Sequence, residues 1–243
     1  MIDLVDGIVS DRRERPFVKN VEVTVEHLQR LLLGKTVDGW LNDNLVCAYF
    51  ELLGERSLRQ GADYAFPKSM KLKCLFLTSY LMTKIDRASI NGCKWVLNYC
   101  KRIKIGGLLK REVDKVFVPI CFDLHWTLAV INFKNKRLEY YDSLGGERVM
   151  NNLQMDYLRY LKTYMLWESR ELNISFDWGD GWEMKNTVDS VNVPQQANMI
   201  DCGVFICKYA DYGSQDLPFS FSQVDIENIR YRMFKEIEAK HVP

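Results

Sequence analysis

Nucleophilic chemistry at sulfur needs a base, and this chain offers few. Its three histidines, His27, His125 and His241, stand against seven cysteines. His27 lies in a polar helical stretch and reads as an exposed residue. His241 is two positions from the C-terminus and reads as frayed. His125 opens the apolar run Trp126-Thr127-Leu128-Ala129-Val130-Ile131, which by itself suits a structural imidazole. The run Tyr140-Tyr141-Asp142-Ser143-Leu144-Gly145-Gly146 changes that balance. If 134–136 form a hairpin turn, Asp142 ends the strand beside the one that His125 begins, and antiparallel neighbours come within side-chain reach. An aspartate there would hold the imidazole in one tautomer, as the third member of a triad does. The same five residues, Asp142 to Gly146, also read as turn chemistry alone.

The thiol that such a base would serve is Cys202. The loop Val193-Pro194-Gln195-Gln196-Ala197-Asn198-Met199-Ile200 leads to Asp201, an N-cap residue type, and then to Cys202 in the first turn of a helix. A helix N-terminus stabilises thiolate and lowers the thiol pKa. Gly203 allows another backbone or a substrate to approach closely. Gln196, six positions before the cysteine, has an amide N–H that could join the Cys202 backbone N–H in stabilising an oxyanion. Cys47, Cys74, Cys93, Cys100, Cys121 and Cys207 read as packing residues, since free cysteine behaves as a small buried hydrophobe.

The elements that must position these groups fall into two kinds. Val21 to Val23 alternates like a short strand. Thr24 can then cap a helix to about Leu33, with Gly34 as its stop. Helical spacing recurs over 42–56, 70–84, 91–102, 151–169 and 201–212. Ser222-Gln223-Val224-Asp225 matches a capping box that opens a last helix to about 239. Strands are expected at 116–120, 125–133, 137–141, 174–176 and 190–193, with Asn135-Lys136 in a turn. Strands in the middle and helices at both ends make an α+β layout, not an alternating βαβ one.

Composition narrows the classes. A net charge of +1 gives no global pull toward nucleic acid, and the basic stretch Lys101-Arg102-Ile103-Lys104 reads as a solvated face. An odd cysteine count without a Cys-x-x-Cys pair suggests neither a disulfide framework nor a zinc ribbon, so reduced thiols in the nucleus or cytoplasm are expected. The N-terminus lacks the basic and apolar regions of a signal peptide, and no uncharged apolar run approaches a membrane span.

Four motifs in order carry a family resemblance: Gly39-Trp40-Leu41-Asn42-Asp43, the His125 run, Tyr141-Asp142-Ser143-Leu144-Gly145-Gly146, and Pro194-Gln195-Gln196-Ala197-Asn198-Met199-Ile200-Asp201-Cys202-Gly203. Over about residues 21–239 the sequence resembles the ubiquitin-like-protein-specific cysteine proteases, whose best-known members are the SUMO (sentrin) proteases. The resemblance implies a papain-like α+β fold, a central mixed or antiparallel sheet with flanking helices. It implies His125 as general base, Asp142 as its orienting carboxylate, Cys202 as nucleophile and Gln196 as oxyanion donor. Trp40 and Trp126 would wall a narrow slot over the modifier's Gly-Gly tail. Asp43 would either pair with the tail region or, as the preferred reading, cap the following helix. The implied partner is SUMO or another ubiquitin-like modifier with its conjugates. No metal, cofactor, nucleic acid or membrane span is implied, and the implied state is a monomer.

Residues 21–243 would be the catalytic domain and 1–20 an extension trimmed from a longer regulatory region. Two departures stand out. Met199-Ile200 replaces smaller or polar residues, and Asp177-Trp178-Gly179-Asp180-Gly181-Trp182 makes a longer loop than the family's. Rival readings are a protease for a Nedd/Rub-type modifier, an acetyltransferase or effector-like enzyme on this fold, and an inactive modifier-binding module.

Overall fold

The apolar runs around 116–120 and 126–131 form the centre of a five-stranded sheet. The computed structural model describes residues 17–18, 21–34, 36–62, 73–85, 89–110, 113–145, 153–187 and 192–243. The sheet holds β3 (Cys74–Phe76), β4 (Lys115–Phe122), β5 (His125–Asn132), β6 (Arg137–Tyr141) and β7 (Glu183–Asn186), in that spatial order. β4, β5 and β6 are antiparallel neighbours, while β3 and β7 join the edges in parallel, so the sheet is mixed. A separate two-stranded ribbon pairs β1 (Phe17–Val18) with β2 (Val21–Glu22).

Helices cover both faces of the sheet, which is why its central strands are apolar on both sides rather than alternating. On one face Phe117, Leu128 and Val130 pack against α2 (Asp43–Ala62), α6 (Cys202–Gly213) and α7 (Ile226–Glu238), through residues such as Leu45, Tyr49, Phe205 and Met233. On the other, Val116, Val118, Ala129 and Ile131 meet α3 (Tyr80–Ile85), α4 (Ile90–Arg102) and α5 (Leu153–Glu171). The layout is α+β, as the sequence implies. None of the described helices is long and apolar enough to cross a membrane.

Helix ends follow local rules. Thr24 caps α1 (Val25–Leu32), and the reciprocal partner is His27: its backbone N–H donates to Thr24 Oγ1 at 3.3 Å, and its Nδ1 accepts from the Thr24 N–H at 3.1 Å. His27 is therefore a half-buried capping residue, not a merely exposed one. The Ser222–Asp225 box forms as expected and opens a short 3₁₀ turn ahead of α7.

Three expectations fail for tertiary reasons. The described part of 70–84 is not one helix. Cys74-Leu75-Phe76 pairs with β4, where Phe76 stacks on Phe117 at 4.9 Å, and only 80–85 is helical. Partner strands override local periodicity here; residues 70–72 lie outside the described set. Ile174-Ser175-Phe176 is not a strand, because Phe176 packs edge-on against Trp182 at 5.4 Å. The strand lies further on, at β7. Of 190–193, residues 190 and 191 lie outside the described set, and Asn192-Val193 is a turn.

Candidate active site

The β5–β6 hairpin builds the first half of the site. Leu128 pairs with Tyr141, so Asp142 emerges from β6 close to the start of β5. His125 Nε2 lies 2.7 Å from Asp142 Oδ1. The carboxylate is itself held by the turn that follows, accepting from the Leu144 N–H at 3.0 Å. Burial alone would lower the imidazole pKa. Hydrogen bonds to Asp142 and to Cys202, with the charges of both, outweigh that and raise it to about 9. The ring therefore favours imidazolium at neutral pH, with Nδ1 left for the thiol.

The second half is the loop into α6. Cys202 is the first residue of that helix and is 3% exposed. Asp201 does not cap the helix with its side chain, contrary to expectation. Its carboxylate is drawn the other way. It accepts from Arg230 Nε at 2.8 Å and Nη2 at 2.6 Å, Gln223 Nε2 at 2.8 Å and Asn198 Nδ2 at 2.6 Å. Arg230 also donates to the Gly39 carbonyl at 2.9 Å, which ties the loop before Cys202 to the segment before Trp40. Cys202 thus stands in the first turn of a helix whose N-terminus takes no hydrogen bond from the Asp201 side chain.

Gln196 is fixed at three points. Its backbone N–H donates to the Ser143 carbonyl at 2.7 Å, and its Oε1 accepts from Ser143 Oγ at 2.5 Å. Its Nε2 donates to the Asn198 carbonyl, which occupies one of two amide hydrogens. Because the Asn198 carbonyl can only accept, it fixes the NH₂ end of the amide toward the stretch running to Cys202, and Ser143 Oγ anchors the oxygen end. Sequence reading missed Ser143. Its signal was its place in the same motif as Asp142.

The remaining expected residues are less uniform. Trp126 is 4% exposed and lies in the core, its indole N–H donating to the Leu41 carbonyl at 2.8 Å. A Cβ at Gly203 would come within 2.8 Å of Leu41 Cβ and 3.3 Å of Trp126 Cδ1. Gly203 therefore lets the helix carrying Cys202 pack against this pair. Trp40 is half-buried, and its indole N–H has no hydrogen-bond partner among the described residues. Asp43 does not cap α2. Asn42 does, accepting from the Leu45 N–H at 3.2 Å. Asp43 is exposed and accepts from Ser79 Oγ at 3.3 Å.

Burial pushes the Cys74 and Cys100 thiols up to about 12, and Cys207 well above the usual value, which fits packing. Cys121 is exposed, so packing does not describe it.

A carboxylate–imidazole pair set against a thiol at a bare helix N-terminus, on an α+β fold, is the arrangement of a papain-like thiol hydrolase. Residues 39–242 match the family described as the Ulp1 protease family, C-terminal catalytic domain, and the chain belongs to that family. Among curated relatives, the ubiquitin-like-specific protease ESD4 of Arabidopsis thaliana is 36% identical over 218 residues, 90% of this chain and 40% of ESD4. Human sentrin-specific protease 2 is 32% identical over 201 residues, 82% of this chain and 30% of that protein. The chain thus spans less than half the length of either. A structure of the SUMO protease Ulp1 with its catalytic cysteine oxidised to a sulfenic acid superposes with a TM-score of 0.72. Its sequence identity is 26%, covering 98% of this chain and 94% of that one. The Ulp1 protease domain in complex with Smt3, the yeast ortholog of SUMO, shares the fold at a TM-score of 0.71 and 23% identity, over 98% and 93% of the two chains.

Proposed function

We propose that this chain is a thiol isopeptidase that cleaves after the C-terminal Gly-Gly of SUMO, processing the precursor, releasing SUMO from target lysines, or both. The observation that carries the proposal is the 2.7 Å contact of His125 with Asp142, which keeps the imidazole protonated opposite Cys202. Residues 21–243 act as the catalytic domain, in the nucleus or cytoplasm, where the seven free thiols stay reduced.

The Cys202 thiolate attacks the carbonyl carbon of the terminal glycine. The resulting oxyanion accepts from the free Gln196 Nε2–H and from the Cys202 backbone N–H. The C–N bond breaks as His125 Nδ1–H protonates the departing lysine amine, leaving a thioester. His125, now neutral, takes a proton from water; hydroxide adds to the thioester and the C–S bond breaks to return the thiolate. Asp142 holds the ring throughout and supports its positive charge whenever it is protonated. Trp40, half-buried with an unspent indole N–H, and the neighbouring Trp126 confine the diglycine tail by excluding side chains. Asp43, exposed in the same motif, meets the modifier's tail region.

The test uses SUMO and a Nedd/Rub-type modifier, each with a C-terminal fluorogenic amide, against wild type and Cys202→Ala. Release from SUMO alone, abolished in Cys202→Ala, is expected. Release from the other modifier alone would overturn the substrate, and release from neither would favour an inactive binding module.

A further inference from the structure

The two-residue turn between β4 and β5 is Asp123-Leu124, both with left-handed backbone (φ 49° and 62°). Hairpin turns of this shape take Asn, Asp or Gly, because a Cβ meets the following carbonyl. Asp123 obeys the rule. Leu124 breaks it, and the fold gains nothing in packing: Leu124 is 69% exposed. Phe122, just before the turn, is 49% exposed. Neither side chain joins either core cluster. A strained, exposed leucine beside an exposed phenylalanine costs the free protein and calls for a use.

Their position supplies one. Phe122 is the cross-strand partner of His125, and directly opposed residues place their side chains on one face of the hairpin. Leu124 is adjacent to His125 in the chain. In the reaction proposed above, the imidazolium must hand its proton to the leaving nitrogen, so the leaving chain has to lie on the His125 side of the sulfur. The hairpin tip, with Leu124 adjacent to His125 and Phe122 opposed to it, offers exposed apolar surface on that side.

We infer that Phe122 and Leu124 form the docking surface for the target protein, receiving an apolar side chain next to the acceptor lysine. This rests on the isopeptidase reading and adds to it a selectivity on the leaving side of the scissile bond. Apolar contact beside the lysine lowers KM for conjugates, while a small leaving group cannot use it.

The experiment compares three substrates: the modifier with a C-terminal coumarin amide, and the modifier joined to the lysine of a short peptide with either leucine or serine beside that lysine. Wild type is measured against Leu124→Asn and Phe122→Ser. Asparagine suits the left-handed turn, so Leu124→Asn removes the apolar group without opposing the fold. Wild type is expected to prefer the leucine peptide by about tenfold in kcat/KM, the scale of one apolar contact. Each variant should raise KM for that conjugate and collapse the preference, measured relative to its own coumarin rate. Equal cleavage of both peptides by wild type would overturn the inference. So would variants that slow coumarin release and conjugate cleavage in equal proportion, which would make the tip a support for His125. A wild-type dimer in sedimentation at assay concentration, lost in Leu124→Asn, would overturn it in favour of self-association. A wild type inactive on the coumarin substrate would instead overturn the isopeptidase reading itself.

Discussion

The two halves of the site are held by different physics. His125 and Asp142 sit on adjacent antiparallel strands, joined by a short turn, and the register of that one hairpin brings them together. Cys202 and Gln196 sit on a loop and a helix start held by side chains from distant segments. Arg230 and Gln223 come from the C-terminal end of the chain and Ser143 from the β6 turn, while the Tyr209 hydroxyl donates to the Pro194 carbonyl. The hairpin half depends on ladder hydrogen bonds that no single side chain controls. The loop half depends on a few buried polar bonds, each exposed to one substitution. The first half should thus lose chemistry without losing the fold, and the second should lose both together.

The largest effect belongs to the hairpin half. Asp142→Ala removes the orienting carboxylate and its charge, and should lower kcat/KM by about 10³–10⁴-fold while the chain still folds; the denaturant midpoint should drop at neutral pH, by an amount that fades as pH rises through about 9. Asp142→Asn separates orientation from charge. His125 has its folded pKa raised from 6.5 to about 9, so its ion pair contributes stability fully below pH 6.5 and loses it as pH rises through about 9. The basic limb of kcat/KM should fall near pH 9 in wild type and move to lower pH in Asp142→Asn, where burial lowers the imidazole pKa unopposed by a carboxylate. A basic limb unmoved by the substitution would separate that pH dependence from His125.

Arg230→Met tests the other half. Arg230 and Asp201 are both buried, and removing the cation leaves the carboxylate with two neutral amide donors, Gln223 and Asn198. Losing one partner of such a pair costs about 3–5 kcal/mol. A urea midpoint should record this, and activity should fall with it because Cys202 follows Asp201 directly. His125 should still titrate near pH 9 by NMR in whatever fraction remains folded. Loss of activity at unchanged stability would contradict the division between the two halves.

The same division explains what the sequence reveals. His125 and Asp142 are readable because their contact follows from strand periodicity and turn length over seventeen residues. Cys202 at a helix start is readable for the same local reason. Asp201 looks like a cap because its partner, Arg230, lies 29 positions away and leaves no local trace. Asn42 and Asp43 are adjacent cap-type residues, and only the backbone geometry decides that Asn42 caps. β3 is hidden because its pairing is parallel and long-range, and its apolar residues also fit a helical spacing. β7 is hidden because an edge strand with Glu183, Lys185 and Asn186 exposed carries no apolar alternation.

The smallest effect should come where the halves meet. Ser143 is fully buried, follows Asp142 in the turn after β6, and grips Gln196 in the loop through both backbone and hydroxyl. Ser143→Ala keeps the backbone bond and removes the hydroxyl that anchors the amide oxygen, leaving the side chain held only through Asn198. If Gln196 donates to the oxyanion, Gln196→Ala should cost about 100-fold in kcat. Ser143→Ala should then cost about tenfold in kcat with KM nearly unchanged, since a loosened amide spends only part of its time in line with the reacting carbonyl. The decisive reading is the double variant. A hydroxyl that acts only through Gln196 has nothing to position once Gln196 is alanine, so Ser143→Ala should change kcat by less than about twofold in that background. A purely structural serine would instead cost the same in both backgrounds, because a packing defect does not depend on which side chain stands at 196. Full additivity would therefore remove Ser143 from the chemistry and leave the hairpin and the loop as neighbours without a functional link.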